Sequence, residues 1–228
     1  MSTYLQLVNI VRRECAVSGG SIPSVLNQTG LFEKLVEWTA DADYEIQALH
    51  TDWNFLWSQW EESTIASTAT YSKPSDLSAW DMESFYLDYS TSSNRKLESM
   101  TYKDWRSSVR NGIQVTGKPS HFIVKPDNNL VFYRTPDAVY SLTADYWKSP
   151  VRMSANSSTP LVPARFERAI IALAKMKYAE DQGVPVILSN SEIEFTEWVT
   201  RLEADQLPGQ SARNLIESPI EDSSIVIV

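Results

Sequence analysis

Residues 31–62 have the sequence LFEKLVEWTADADYEIQALHTDWNFLWSQWEE. Within this segment the apolar positions follow one another at alternating spacings of four and three residues, namely Leu35, Thr39, Ala42, Ile46, Leu49, Trp53, Leu56 and Trp60. Such spacing places the side chains on one face of an α-helix, and neither proline nor glycine interrupts it. The segment therefore predicts one long helix from about Gly30 to Glu61.

A shorter helical pattern precedes this segment. The apolar positions in residues 4–15 recur at intervals of three and four, with Ser2 or Thr3 available as the N-cap. Gly19 and Gly20 follow as a stop signal. The N-terminus is therefore predicted to form a short amphipathic helix.

Helical spacing returns near the C-terminus. Pro163 suits the first turn of one helix, and the run from Gly183 to Pro185 suits its end. Ser191 and Glu194 have the spacing of a capping box, which predicts the start of a last helix that Pro208 ends.

Between residues 63 and 150 the sequence changes to short runs of strand-forming residues separated by polar turns. The runs 121–124 and 130–133 flank a polar turn and predict a hairpin. Residues 139–147 alternate apolar and polar side chains after a second turn, so a three-stranded meander is the simplest interpretation.

These patterns predict an α+β protein. A helical bundle is built from the N- and C-terminal segments, with an antiparallel β-rich insertion in the middle. The expected organisation is N-terminal helices of the bundle over 1–62, the insertion over 63–150, C-terminal helices over 151–206 and an extended tail over 207–228.

Composition narrows the classes of function. The 228 residues include 20 Lys and Arg against 29 Asp and Glu, a net charge of -9, so the chain has no general basic footprint for nucleic acid. The local cluster Arg95, Lys96, Lys103, Arg106 and Arg110 is predicted to be a solvated surface. The single cysteine, Cys15, excludes an internal disulfide and a thiolate zinc cluster. With no apolar span and no export signal, we expect folding in a cytosol-like compartment without a membrane partner.

Catalytic spacings do not stand out. The two histidines, His50 and His121, are predicted to be structural, and no G-x-S-x-G, H-E-x-x-H or phosphate-loop motif occurs. Acid groups such as Asp41, Asp43 and Glu45 are predicted to mark a solvated helix face. We therefore expect no catalytic residue, no metal and no cofactor.

The aromatic cluster at residues 53–60 leaves one question open. Trp53, Leu56 and Trp60 continue the helical stripe, whereas Phe55 and Trp57 point elsewhere. Either the sheet covers these two rings, or they contact another subunit. Phe55 and Trp57 are accordingly candidate subunit contacts.

Several fragments, in their order and spacing, resemble one protein family. They are YLQLVN at 4–9, WNFLW at 53–57, YSKPSD at 71–76, GKPSHF at 117–122, a Pro-Asp turn at 126–127, YWKSP at 146–150 and VPARF at 162–166. Together they resemble the head-to-tail adaptor proteins of tailed bacteriophages, also called connector or head-completion proteins. The resemblance covers nearly the whole chain.

The resemblance implies a virion protein of the head-tail junction, assembled in the cytoplasm of the bacterial host. It implies a ring of about twelve copies beneath the portal, with helices in the ring wall and the sheet reaching toward a downstream tail protein. The resemblance also implies that double-stranded DNA passes through the channel without specific binding and that a C-terminal extension docks on the portal. The apolar residues that would carry this docking are Leu215, Ile216, Ile220, Ile225, Val226, Ile227 and Val228.

Alternatives remain at this point. The tail over 207–228 is either a strand added to a neighbour or a floppy terminus. The net acidity suits a channel that repels DNA phosphates, which requires a lumen lined mostly by Asp and Glu. Another structural role in a phage tail, or a small hydrolase that depends on carboxylates, is the competing function.

Overall fold

The computed structural model describes residues 1–90, 93–110 and 115–207. In this part of the chain the helices are α1 (Tyr4–Glu14), α2 (Leu31–Ala48), α3 (Tyr102–Arg110), α4 (Glu167–Gln182) and α5 (Pro185–Gln206). The strands are β1 (Trp57–Ser63), β2 (Thr70–Tyr71), β3 (Leu77–Trp80), β4 (Tyr86–Ser90), β5 (Ser93–Lys96), β6 (Glu98–Ser99), β7 (His121–Val124), β8 (Leu130–Tyr133) and β9 (Ser141–Lys148). The predicted α+β class is confirmed.

The chain divides into two compact units. The helical unit comprises Met1–Phe55 together with the chain from Pro150 onward, and the β-rich unit comprises Leu56–Ser149. In the helical unit, α4 packs against α1, α2 and α5. The fully buried apolar side chains of the helical unit include Leu7, Leu35, Ile46 and Ile170.

The predicted N-terminal helix is confirmed, and Thr3 caps it. The Thr3 hydroxyl accepts a hydrogen bond from the Gln6 backbone N–H at 3.3 Å, and the Thr3 N–H donates to the Gln6 side chain at 2.8 Å. This reciprocal pair satisfies two backbone donors at the helix start.

The predicted long helix is wrong beyond Ala48. The chain leaves α2 there, and residues 57–63 form strand β1. The Trp53 indole donates to the Ile46 carbonyl at 3.1 Å, which satisfies an acceptor at the helix end. Leu56 lies in a 3-10 turn and is buried, and Trp60 lies on β1 with its ring packed against the core of the β-rich unit. Both side chains face an interior without belonging to an α-helix. The apolar periodicity therefore did not distinguish the two structures here.

The last helix begins six residues before its predicted start. Gly183 ends α4 in the left-handed conformation at φ 64°, and Pro185 occupies the first turn of α5. The Gly-Val-Pro run is therefore both a stop and a start. Ser191 lies buried inside the helix, so its capping role was a wrong prediction.

Sheet 1 has the strand order β1-β9-β4-β5, and β3 also pairs with β9. All these pairs are antiparallel, and β1 pairs with β9 over seven residues without a register shift. On β9, Leu142, Ala144 and Tyr146 are buried, as the alternation predicts.

Sheet 2 has the order β2-β8-β7-β6, with a parallel β6-β7 pair. The predicted hairpin over 121–133 is confirmed as β7 and β8. The predicted meander is wrong, because β9 pairs in sheet 1 and not with β8. Partners far away in sequence outweighed the local turn.

Side chains from both sheets form one hydrophobic core in the β-rich unit. At its centre the rings of Phe85 and Phe122 stack, with centroids 3.8 Å apart and planes inclined by 16°. Trp80 packs edge-on to Trp60 and Tyr146. Aromatic burial of this kind contributes strongly to the stability of the unit.

Candidate assembly surfaces

The outward face of sheet 1 is the first candidate surface. It carries the side chains of β9 that alternate with the buried ones, together with their neighbours on β1 and β4. Trp57 is 49% exposed and Tyr86 is 40% exposed. Large aromatic side chains on a solvent-facing sheet are typical of protein contact sites.

Trp57 lies near the carboxyl group of Asp145 on this face. Burial raises the pKa of Asp145 above its ordinary value, and the Trp57 side chain opposes this shift. Half of the Trp57 ring nevertheless remains accessible to a partner.

Phe55 has a different environment. It lies in a single 3-10 turn over Asn54–Leu56 and stacks on the buried Trp53, with ring centroids 5.3 Å apart. The premise that Phe55 and Trp57 leave a helical stripe is wrong, because neither residue is in an α-helix. Both remain candidate subunit contacts, with Trp57 the more accessible.

The predicted basic cluster lies in the β-rich unit. Arg95 and Lys96 are on β5, and Lys103 and Arg106 are on α3. Lys96 pairs with Glu83 at 2.5 Å, and both side chains are substantially exposed. Arg95, Lys96, Lys103 and Arg106 are exposed, and their role as a solvated surface stays a prediction.

Four charged side chains connect three helices of the helical unit. Arg168 and Lys175 of α4 both contact Glu14 of α1 and Glu194 of α5. Lys175 lies 3.1 Å from Glu14 and 2.8 Å from Glu194. Burial alone would raise the pKa of Glu194, but hydrogen bonds from Lys175 and Arg168 lower it below its ordinary value. Sequence reasoning missed this network because its members are far apart in the chain.

Asp43 contradicts the expectation of a solvated acidic face. It is fully buried on α2, and burial raises its pKa to about 7 although Gln47 donates a hydrogen bond to it at 2.9 Å. Its second oxygen has no hydrogen-bond partner among the described residues. Gln47 also exchanges two hydrogen bonds with the backbone of Val151. The Asp43 carboxyl is therefore part of the packing between α2 and the returning chain.

The two histidines contact neighbouring side chains, and their structural role stays a prediction. His50 Nε2 lies 2.9 Å from Glu203 of α5, and its ring packs edge-on to Trp53. His121 lies at the start of β7, with Nδ1 2.9 Å from the Ser120 hydroxyl. Burial raises the pKa of the Cys15 thiol to about 12, so this cysteine is a poor nucleophile.

Within residues 1–90, 93–110 and 115–207, no group of three or more His, Cys, Asp or Glu is placed to hold a metal ion. No helix in these ranges is long and apolar enough to cross a membrane. The predicted portal-docking residues Leu215, Ile216, Ile220, Ile225, Val226, Ile227 and Val228 lie outside the described residues.

A comparison with known protein families shows which family this chain belongs to. The family model of the SU10 adaptor protein matches residues 2–212, which is nearly the whole chain. The chain belongs to the SU10 adaptor protein family. The resemblance to phage head-to-tail adaptors is thereby confirmed, and the SU10 adaptor model spans both the helical and the β-rich units. No curated protein matches the chain.

Proposed function

We propose that this protein forms a ring between the portal and the tail of a tailed bacteriophage, completing the head and leaving a passage for DNA. The match of residues 2–212 to the SU10 adaptor protein family carries this proposal. A ring of about twelve copies is the expected assembly. The role is structural and needs no catalytic residue, metal or cofactor.

The parts of the chain have different tasks in this ring. The helices form the ring wall, and the β-rich unit reaches toward the downstream tail protein. The segment 207–228 docks on the portal, because its apolar end at Ile225, Val226, Ile227 and Val228 follows a polar stretch and suits strand addition to a neighbour. Phe55 and Trp57 contact a neighbouring subunit, which the 49% exposure of Trp57 supports.

The acidic balance suits the passage of DNA. Each chain carries a net charge of -9, so a channel formed by many copies repels phosphates unless cations line it. Glu33, Asp52, Glu180 and Glu192 are exposed in the helical unit and supply such charge. A lumen dominated by Lys and Arg in an assembled ring would contradict this part of the proposal.

Electron microscopy of the full-length protein mixed with purified portal tests the ring. We expect a ring of density coaxial with the portal. If the micrographs show only single subunits that are not attached to the portal, the proposal is overturned, because the function requires contact between copies.

Deletion of residues 214–228 tests the docking segment separately. We expect a folded chain that no longer joins portal-bearing heads, since the described helices and strands end before this segment. The matched control keeps the length and composition of residues 214–228 but scrambles their order. Normal head binding by the shortened chain would contradict the docking role while leaving the ring itself untouched.

A further inference from the structure

The two outermost strands of sheet 1 have free outer edges in the part of the chain that the structure describes. β1 stands at one end of the strand order and β5 at the other. An unpaired edge presents backbone N–H and C=O groups that pair readily with another strand. Sheet 1 can therefore be extended at both ends.

The side chains on these two edges carry opposite charges. β1 contains Glu61 and Glu62 and no cation, whereas β5 contains Arg95 and Lys96 and no acid. All four side chains are exposed. Among the described residues, Glu61, Glu62 and Arg95 have no oppositely charged partner, and Lys96 is held only by the 82% exposed Glu83.

The strand register links these charges in straight rows across the sheet. One row of directly paired residues runs from β5 to β1 through Lys96, Tyr86, Thr143 and Glu61. The adjacent row runs through Arg95, Leu87, Leu142 and Glu62. Each row begins with a cation and ends with an acid. A second copy placed beside β5, without a shift along the strands, therefore sets its Glu61 opposite Lys96 and its Glu62 opposite Arg95.

Strand direction allows the same arrangement. Each pair along β1-β9-β4-β5 is antiparallel, so β1 and β5 run in opposite directions. A second copy in the same orientation brings its β1 antiparallel to β5 of the first. The strands then stay antiparallel from one copy to the next, and the outward faces of the two sheets lie on the same side.

We propose that sheet 1 is extended from subunit to subunit, with β5 of one copy paired with β1 of the next. The occupant of each edge is thus a second copy of this chain, chosen by charge complementarity. Pairing of two β1 edges, or of two β5 edges, offers no opposite charge to either copy. A contact between two different surfaces is head-to-tail, which is the type of contact that generates rings. The inference rests on the proposed ring and names a contact within it.

Engineered disulfides test the register. A third row of directly paired residues, next to the row of Arg95 and Glu62, runs from β5 to β1 through Asn94, Asp88, Ser141 and Ser63. In the proposed contact Ser63 of one copy lies directly opposite Asn94 of the next, within disulfide reach. In one chain two strands separate these residues, a distance of about 14 Å that no disulfide spans. The buried Cys15 does not compete.

The chain carrying Ser63→Cys and Asn94→Cys is assembled on portal, oxidised with diamide and separated on a non-reducing gel. We expect a ladder of linked subunits. The matched control carries Gln59→Cys with Asn94→Cys, which places an exposed cysteine on the same face of β1 but four residues out of register. A ladder in the control alone would overturn the register.

Charge reversal tests the specificity. Glu61→Lys with Glu62→Lys, or Arg95→Glu with Lys96→Glu, should lower the amount of assembled ring by about tenfold at equal concentration. The chain with all four substitutions should assemble as the unsubstituted protein does, because every pair is restored with reversed sign. Far-ultraviolet circular dichroism checks that each variant is folded.

The outcomes separate this inference from the proposed function. If the unsubstituted chain forms no ring on portal, the proposed function fails. If rings form but neither the disulfide ladder nor the reversal effect is seen, the sheet contact is overturned and the ring stands. Rescue by the fourfold variant together with the ladder supports the contact directly.

Discussion

The helical unit and the β-rich unit use their charged residues differently. In the helical unit, ion pairs join segments far apart in the chain, such as Lys34 with Asp181 at 2.6 Å and Lys177 with Glu45 at 2.8 Å. In the β-rich unit, Lys125 pairs with a residue only two positions away, and the acids at the edge of β1 face solvent. The charged residues of the helical unit pair with one another between distant segments. In the β-rich unit, Glu61, Glu62 and Arg95 have no oppositely charged partner among the described residues, so they are available to another molecule.

The two units are therefore stabilised by different interactions. The β-rich unit depends on buried aromatic rings, and its edge charges contribute little to its own stability. The helical unit combines an apolar core with ion pairs and a buried carboxyl. We therefore expect substitutions to change the stability of the β-rich unit mainly through packing. In the helical unit, substitutions of charged residues should change stability through electrostatics.

The largest effect is expected from Phe85→Ala. Phe85 is fully buried and stacks on Phe122, so its removal leaves a cavity between the two sheets. We expect the free energy of unfolding of the β-rich unit to fall by about 3–5 kcal/mol. Chemical denaturation followed by near-ultraviolet circular dichroism measures the change.

The neighbouring Tyr86→Ala is the matched control for this packing effect. Tyr86 is 40% exposed on the opposite face of β4, so its truncation should cost less than about 1 kcal/mol. Equal losses for the two variants would contradict an aromatic core as the main support of the unit.

Asp43→Asn should raise the free energy of unfolding at pH 8 by about 2 kcal/mol. Burial raises the pKa of Asp43 from 3.8 to about 7, so the folded state disfavours the charged form. Its cost to stability therefore grows as the pH rises from about 4 to about 7 and then levels off. The variant removes this cost and should be more stable than the natural chain at pH 8.

Thermal unfolding at pH 5 and pH 8 checks the sign. The difference in stability between the variant and the natural chain should be larger at pH 8 than at pH 5. A natural chain that gains stability over this interval relative to the variant would show that Asp43 is charged and compensated in the folded protein.

Local signals in the sequence predicted the elements that depend on neighbouring residues. Thr3 and Gln6 form a cap from side chains three positions apart, and Gly183 ends a helix through its own backbone freedom. The error at Leu56 and Trp60 has a physical cause, because a 3-10 turn and a strand bury these two side chains as a helix would. What selects the strand is β9, whose paired residues lie 78 to 90 positions further along the chain and whose pairing with β1 no local pattern reveals.

The candidate surfaces were less predictable for the same reason. Phe55 and Trp57 stood out as aromatic, but their exposure depends on the elements that surround them. Glu61 and Arg95 are unremarkable as single charges, and their alignment arises only from the register of three strand pairs. The family, by contrast, could be predicted because short fragments keep their order along the chain.

The smallest effect is expected from Glu194→Gln in the helical unit. The substitution removes one of two negative charges between Arg168 and Lys175, and Glu14 still compensates part of the loss. We expect a loss of about 1 kcal/mol at pH 7. The pKa of Glu194 is lowered below 4.5 in the folded protein, so the stabilisation is present above that pH and is lost as the pH falls through the lowered value.

Glu197→Gln is the matched control for this electrostatic effect, one turn further along α5. Its pair with Arg201 is more than half exposed, so the control should change the free energy of unfolding by less than about 0.5 kcal/mol at any pH. Denaturant titrations at pH 7 and pH 3, with and without added salt, measure both variants. If Glu194→Gln and Glu197→Gln behaved alike, the network between the helices would be no stronger than a surface pair, and the contrast between the two units would rest on packing alone.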